Sequence, residues 1–231
     1  MSYAFPPAPV ATVPVVGSDR LFPVHRIYCV GRNYAEHAKE MGFSGREAPF
    51  FFMKPADAVL VVQEGDTGAM PYPTLTKDLH HEIELVVALG KGGKNIKAAD
   101  AASHIFGYAV GLDMTRRDLQ AEAKKQGRPW DIAKGFDYSA PITPIVPADQ
   151  AGDIHQADIW LNVNGSKRQA SNVDKLIWNI AETIEVLSQA WELQPGDLIF
   201  SGTPEGVAAV AQGDLLEGGV TGLPTLKVRL G

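Results

Sequence analysis

Residues 77–89 read KDLHHEIELVVAL, and the fold turns on how this stretch is placed. In a β-strand side chains alternate, so Glu82 and Glu84 share a face with His80, while Ile83, Leu85 and Val87 point the other way. Val86 and Ala88 continue the carboxylate face in apolar form. Two anions on one side of a strand repel unless water or a cation neutralises them. A solvated first half of the strand and a cation site both fit the pattern.

Working outward, IFGYAVGLDMT at 105–115 reads as a second apolar strand, with Asp113 near its end just before a helix. Strand ends are good platforms, because the scaffold fixes them while the adjoining loop stays open to a ligand. Glu82, Glu84 and Asp113 together offer an all-oxygen site that suits Mg²⁺, Mn²⁺ or Ca²⁺ better than zinc. Asp113 as a turn residue bonding its own backbone is the plain alternative. His37 and Glu40 stand at i and i+3 of a short expected helix, where a carboxylate can orient an imidazole that activates water, or simply form a surface contact. Lys134, set between Trp130 and Phe136, and Arg117 are candidate anion contacts. Thr203, in SGTPEG, is the loop position suited to offer a hydroxyl and a backbone N–H to a carboxylate.

The 231 residues carry 21 Lys and Arg against 27 Asp and Glu, a net charge of -6 that argues against a nucleic-acid partner. With 45% hydrophobic and 21% charged residues the chain is globular rather than disordered. Gly 23 and Pro 16 point to short strands and shaped loops rather than a helix bundle. Cys29 is the only cysteine, so no internal disulfide forms and a reduced, cytoplasmic setting is expected. No apolar run is long enough for a membrane span, and MSYAFPPAPVATVPVVG lacks the basic head of a signal peptide. GKGGKNI does not fit a phosphate loop, because the GxxxxGK[ST] spacing is absent.

A Pro-rich arm is expected over 1–22 and one domain over 23–231. RIYCV is read as a strand, and Tyr34 to Met41 as a brief helix capped by Asn33 and stopped by Gly42. Thr115 is expected to cap a helix over RRDLQAEAKKQ that ends at Gly127. Residues 128–152 read as irregular. DIWLNVNG and SKRQAS form a hairpin through Asn164-Gly165, and VDKLIWNIAETIEVLSQAW carries a helical stripe. Together these favour a strand-rich mixed α/β fold of sandwiched or rolled sheets with helices at the edges.

VGRNYAEHAKEMG, MKPADA, LHHEIELVVALG, GYAVGLDMTRRDLQ, RPWDIAKGFDYSAPI and PGDLIFSGTPEGV, in this order, resemble the fumarylacetoacetate hydrolase family, and within it the bacterial fumarylpyruvate and acylpyruvate hydrolases. The similarity runs from about residue 24 to the end of the chain. The resemblance implies a β-sandwich roll with peripheral helices, assembled as a homodimer. It implies Mg²⁺ or Mn²⁺ (Ca²⁺ as a third option) on Glu82, Glu84 and Asp113, and His37 with Glu40 on a lid that activates water. Lys134, Gln120 and Thr203 are implied to hold the substrate or its developing oxyanion, with Arg32 and Arg117 as further anion contacts. The implied substrate is a 2,4-diketo acid, fumarylpyruvate being cleaved to fumarate and pyruvate as in gentisate breakdown during aromatic catabolism. Its second carboxylate needs a further cation, for which Arg46 or Lys54 is a candidate. Two other outcomes are carried: oxaloacetate decarboxylation or keto–enol tautomerisation on the same site, and a non-catalytic, metal-dependent binding domain.

Overall fold

The 77–89 stretch folds as two strands, not the single long one expected. In the computed structural model, which describes residues 2–40 and 46–231 and only the backbone of 38–40, Leu79–His80 pairs with Thr115–Arg116 and Ala209–Val210 in a small sheet. Ile83–Leu89 instead joins an eight-stranded mixed sheet. His81 and Glu82 are the crossing between the two sheets, which is why the ladder breaks there.

Ile83–Leu89 lies antiparallel to both Leu198–Phe200 and Ile105–Leu112, and Leu198–Phe200 runs parallel to Ile27–Gly31. Its register sets the functional end. Ile83 faces Leu112 and Glu84 faces Gly111, so Glu82 falls opposite Asp113, whose N–H donates to the Glu82 carbonyl at 2.9 Å.

Strand alternation sorts side chains into two cores. Ile83, Leu85, Val87 and Leu89 join Leu161, Leu216 and Val228 of a five-stranded sheet, together with Ile184 and Leu187 of the helix Ile180–Ala190. Val86 and Ala88 belong to the other core, with Cys29 and Phe200. Val13 and Phe22 enter it from a hairpin of Thr12–Pro14 and Leu21–Pro23. With both faces covered the strand is buried throughout and apolar except at Glu84, and each fully buried Leu or Ile contributes about 1.5–3 kcal/mol. The two sheets approach closely at Gly218, where an added Cβ would stand 2.8 Å from both Ile83 Cδ1 and Leu161 Cδ1.

The hairpin of Asp158–Val163 and Ser166–Asn172 turns through Asn164 and Gly165 at φ 50 and 77, as a tight primed turn requires. The helix Arg117–Gln126 ends on left-handed Gly127, as its sequence predicts. Thr115 does not cap it: its hydroxyl donates to the Asp113 carbonyl at 3.1 Å, and the N-cap is Arg116. Asn33 is likewise diverted from the helix Ala35–Glu40, donating to the carbonyls of Trp178 (2.9 Å) and Ser201 (2.7 Å) and accepting from Trp178 N–H. The expected stop at Gly42, and Met41 before it, lie outside the described residues.

The helical stripe is α-helical only from Ile180, because Asn179 and Glu182 form a capping box there. Within the stretch expected to be irregular, Asp131–Lys134 makes one helical turn. The whole is a strand-rich, mixed α/β roll with peripheral helices. Among the described residues no helix is long and apolar enough to cross a membrane.

Candidate metal centre and active site

Glu82, Glu84 and Asp113 are all buried, and one oxygen from each lies within 4.8 Å of the others. Their convergence follows from the strand register: Glu84 lies in one strand, Asp113 directly follows the end of its paired neighbour, and Glu82 comes from the crossing beside them. Donors from three other segments gather on the trio. Lys134, at the end of its single helical turn, donates to Glu82 Oε2 at 2.8 Å and to Asp113 Oδ2 at 2.6 Å. Arg117, on the first turn of its helix, donates to Glu82 Oε1 and to Gln120 Oε1. Gly202 N–H donates to Glu84 Oε2 at 2.8 Å.

These contacts divide the carboxylates electrostatically. Burial works to raise the Glu82 pKa, but Lys134 and Arg117 outweigh it and hold this acid far below the usual carboxylate range. Glu84 is pushed well up, first by burial and then by the like charges of Asp113 and Glu82. Burial also opposes the charge of Lys134, yet Asp113 and Glu82 leave its pKa above that of a free lysine. Asp113 Oδ1 forms an ion pair with Lys54 Nζ at 2.8 Å that lacks hydrogen-bond geometry, while the same ammonium donates to the carbonyls of Met114 (3.1 Å) and Lys134. A hard divalent cation suits this donor set: it offers Asp113 Oδ1, which accepts no hydrogen bond, a further partner and removes the repulsion that disfavours ionised Glu84.

His37 is buried and lines the same cavity as Glu82 and Glu84. The side chain of Glu40 lies outside the described residues. Gln120 lines the cavity too; with its carbonyl taken by Arg117, its amide NH₂ is the end left to donate. Thr203 is there, but its hydroxyl proton goes to the Ile83 carbonyl at 2.8 Å, so the hydroxyl is not the donor its loop position suggested. Arg32 lines the cavity from a left-handed backbone (φ 55), with its guanidinium 5.0 Å from the Phe50 ring centroid.

Lys54 stands apart from the other candidates. It is 1% exposed and lies under the trio, not at the cleft, where a substrate carboxylate would be met. Arg46 is also engaged elsewhere, 2.6 Å from Glu182 and stacked on Trp178.

Sequence reasoning missed Gln169. This side chain from the second sheet is 1% exposed within an otherwise largely exposed strand. Its carbonyl accepts from Ile83 N–H (3.2 Å) and meets His81 Nδ1 (2.9 Å), while its amide donates to Thr203 Oγ1 (2.9 Å) and the Pro204 carbonyl (2.8 Å). It therefore ties the segment bearing Glu82 to the loop whose Gly202 holds Glu84. The alternation of SKRQASN carries no signal for that role.

A rolled strand-rich scaffold with a buried, all-carboxylate cluster fit to hold a divalent ion, beside an open cavity, is the architecture of an enzyme acting on small molecules. The family model described as "Fumarylacetoacetate (FAA) hydrolase C-terminal" matches residues 26–230. The chain belongs to the fumarylacetoacetate hydrolase family. It is 54% identical to the fumarylpyruvate hydrolase of Pseudomonas aeruginosa, solved in complex with Mn²⁺ and pyruvate, with a TM-score of 0.97 over 99% of both chains. It is also 40% identical to the mitochondrial oxaloacetate decarboxylase of Dictyostelium discoideum, over 87% of this chain and 90% of that one. The mitochondrial oxaloacetate tautomerase of Homo sapiens is 41% identical over 88% of this chain and 90% of its own length.

Proposed function

We propose that the chain hydrolyses the carbon–carbon bond of acylpyruvates, with fumarylpyruvate giving fumarate and pyruvate. The observation that carries this reading is the meeting of the buried imidazole of His37 with Glu82 and Glu84 of the acidic trio in one cavity. The likeness to a fumarylpyruvate hydrolase solved with Mn²⁺ and pyruvate supports it.

A divalent cation, Mg²⁺ or Mn²⁺, would be held by Glu82, Glu84 and Asp113, and supplies Lewis-acid stabilisation of negative charge on keto-acid oxygens. His37 takes a proton from water, whose oxygen attacks the C4 carbonyl; Glu40, three residues along the same helix, is the proposed orienting acid. The amide of Gln120 and the ammonium of Lys134 face the developing oxyanion, a donor being worth about 3–4 kcal/mol. The C3–C4 bond then breaks, its electron pair remaining with the pyruvate fragment, which recovers a proton. Arg117 and Arg32 add positive charge for the anionic substrate, and the backbone of Thr203 closes the wall. A homodimer, a cytoplasmic setting and a place in aromatic breakdown belong to the same proposal.

The oxaloacetate-acting relatives favour a second reading, decarboxylation or tautomerisation, which needs no attacking water. Purified protein with added Mn²⁺ should be assayed on fumarylpyruvate, acetylpyruvate and oxaloacetate. His37→Ala is expected to abolish acylpyruvate cleavage while sparing much of any oxaloacetate decarboxylation. Equal loss of both would remove His37 from the water-activating role. Inactivity on the whole panel despite stoichiometric metal would favour a binding domain.

A further inference from the structure

A fumaryl group ends in a second carboxylate, and most cations near the cleft are already engaged. Lys134 and Arg117 hold Glu82, Lys54 lies beneath the trio, and Arg46 is paired with Glu182. Lys124 differs. It lines the same cavity as His37 and Glu82, and among the described residues no carboxylate lies within ion-pair distance of its ammonium. That ammonium sits 5.1 Å from the centroid of the Trp130 ring, itself part of the cavity wall.

Arg117, Gln120 and Lys124 stand at i, i+3 and i+7 of one helix, all lining the cavity. Long helical side chains lean toward the helix N-terminus, which here carries Lys124 back toward Arg117 and the trio. A lysine in a last helical turn also suits the helix dipole. Lys125 meets that need equally and does not line the cavity.

Lys124 is exposed at the rim but electrostatically strained. Its pKa is lowered to about 8, first by loss of water around the ammonium and then by Arg117 and Arg32; Lys134 adds to this and Glu82 opposes it. A bound anion would relieve that repulsion.

We infer that Lys124 is the specificity-determining residue of this cavity, receiving the distal carboxylate of a dicarboxylic acyl group, so that acylpyruvates with an anionic acyl end are preferred to neutral ones. The inference rests on the acylpyruvate reading. Its test is kcat/KM of the Mn²⁺-loaded wild type, Lys124→Met and Lys124→Arg on fumarylpyruvate and acetylpyruvate. The fumarylpyruvate-to-acetylpyruvate ratio is expected to fall at least about tenfold in Lys124→Met, chiefly through KM for fumarylpyruvate, and to be largely retained in Lys124→Arg. In the wild type the ratio should decline as pH rises through about 8, where the ammonium loses its proton, and this decline should vanish in Lys124→Arg. A change in ratio under about twofold in Lys124→Met, with acetylpyruvate still cleaved, would overturn the role of Lys124 alone. A wild type that cleaves neither acid would sink the hydrolase reading, and the assignment of Lys124 with it.

Discussion

Lys54→Met removes a charge from beneath the site while keeping most of the side-chain volume. The side chain of Lys54 is 0% exposed, and its ammonium stands 2.8 Å from Asp113 Oδ1 while donating to two backbone carbonyls. Methionine fills the apolar part of the space, so packing alone accounts for less than about 1.5 kcal/mol. Removing one partner of a buried ion pair costs about 3–5 kcal/mol, and Lys134, already shared with Glu82, offsets the Asp113 charge only in part. In a chain of this size each kcal/mol moves the melting temperature by about 2–4 °C, so a loss of about 6–20 °C is expected. The assay is calorimetric or circular-dichroism melting of chelator-stripped protein, repeated with saturating Mn²⁺. The divalent ion supplies positive charge to Asp113, and the deficit should shrink when it is present. A metal-free shift below about 2 °C, accompanied by a raised KM, would refute this placement and return Lys54 to the role of substrate contact.

Glu84→Gln mimics the protonated acid, which burial and its acidic neighbours favour without a cation, and its carbonyl keeps the Gly202 N–H. Metal-free melting should hold or rise slightly, whereas Mn²⁺ affinity by titration calorimetry should drop at least about 10-fold; undiminished affinity would remove Glu84 from the ligand set. Gln169→Leu strips partners from Ile83 N–H, His81 Nδ1–H and the Pro204 carbonyl, at about 1–3 kcal/mol for each buried group left unsatisfied. Denaturant unfolding should show a total loss of about 3–6 kcal/mol after relaxation, and a change within about 0.5 kcal/mol would contradict the bridging role.

Much of this molecule is local and was legible in the chain itself. Alternation in IELVVAL marks a strand, Asn164-Gly165 a hairpin, and Gly127 a helix stop, because each depends on backbone conformations that a few adjacent residues impose. Glu82, Glu84 and Asp113 stood out for the same reason: acids at the ends of apolar strands are conspicuous in one dimension. What surrounds them was decided by tertiary structure. Lys54, Lys134 and Arg117 reach the trio from separate segments, and Gln169 from another sheet, through sheet register and packing that no local propensity encodes. The break at His81 and Glu82, the diversion of Thr115 and Asn33 from capping, and the cavity position of Lys124 likewise arise only where distant strands and loops compete for the same polar groups. Side-chain chemistry and spacing are properties of the chain, but which charge faces which, and how far from water, exists only once the sheets have closed on one another.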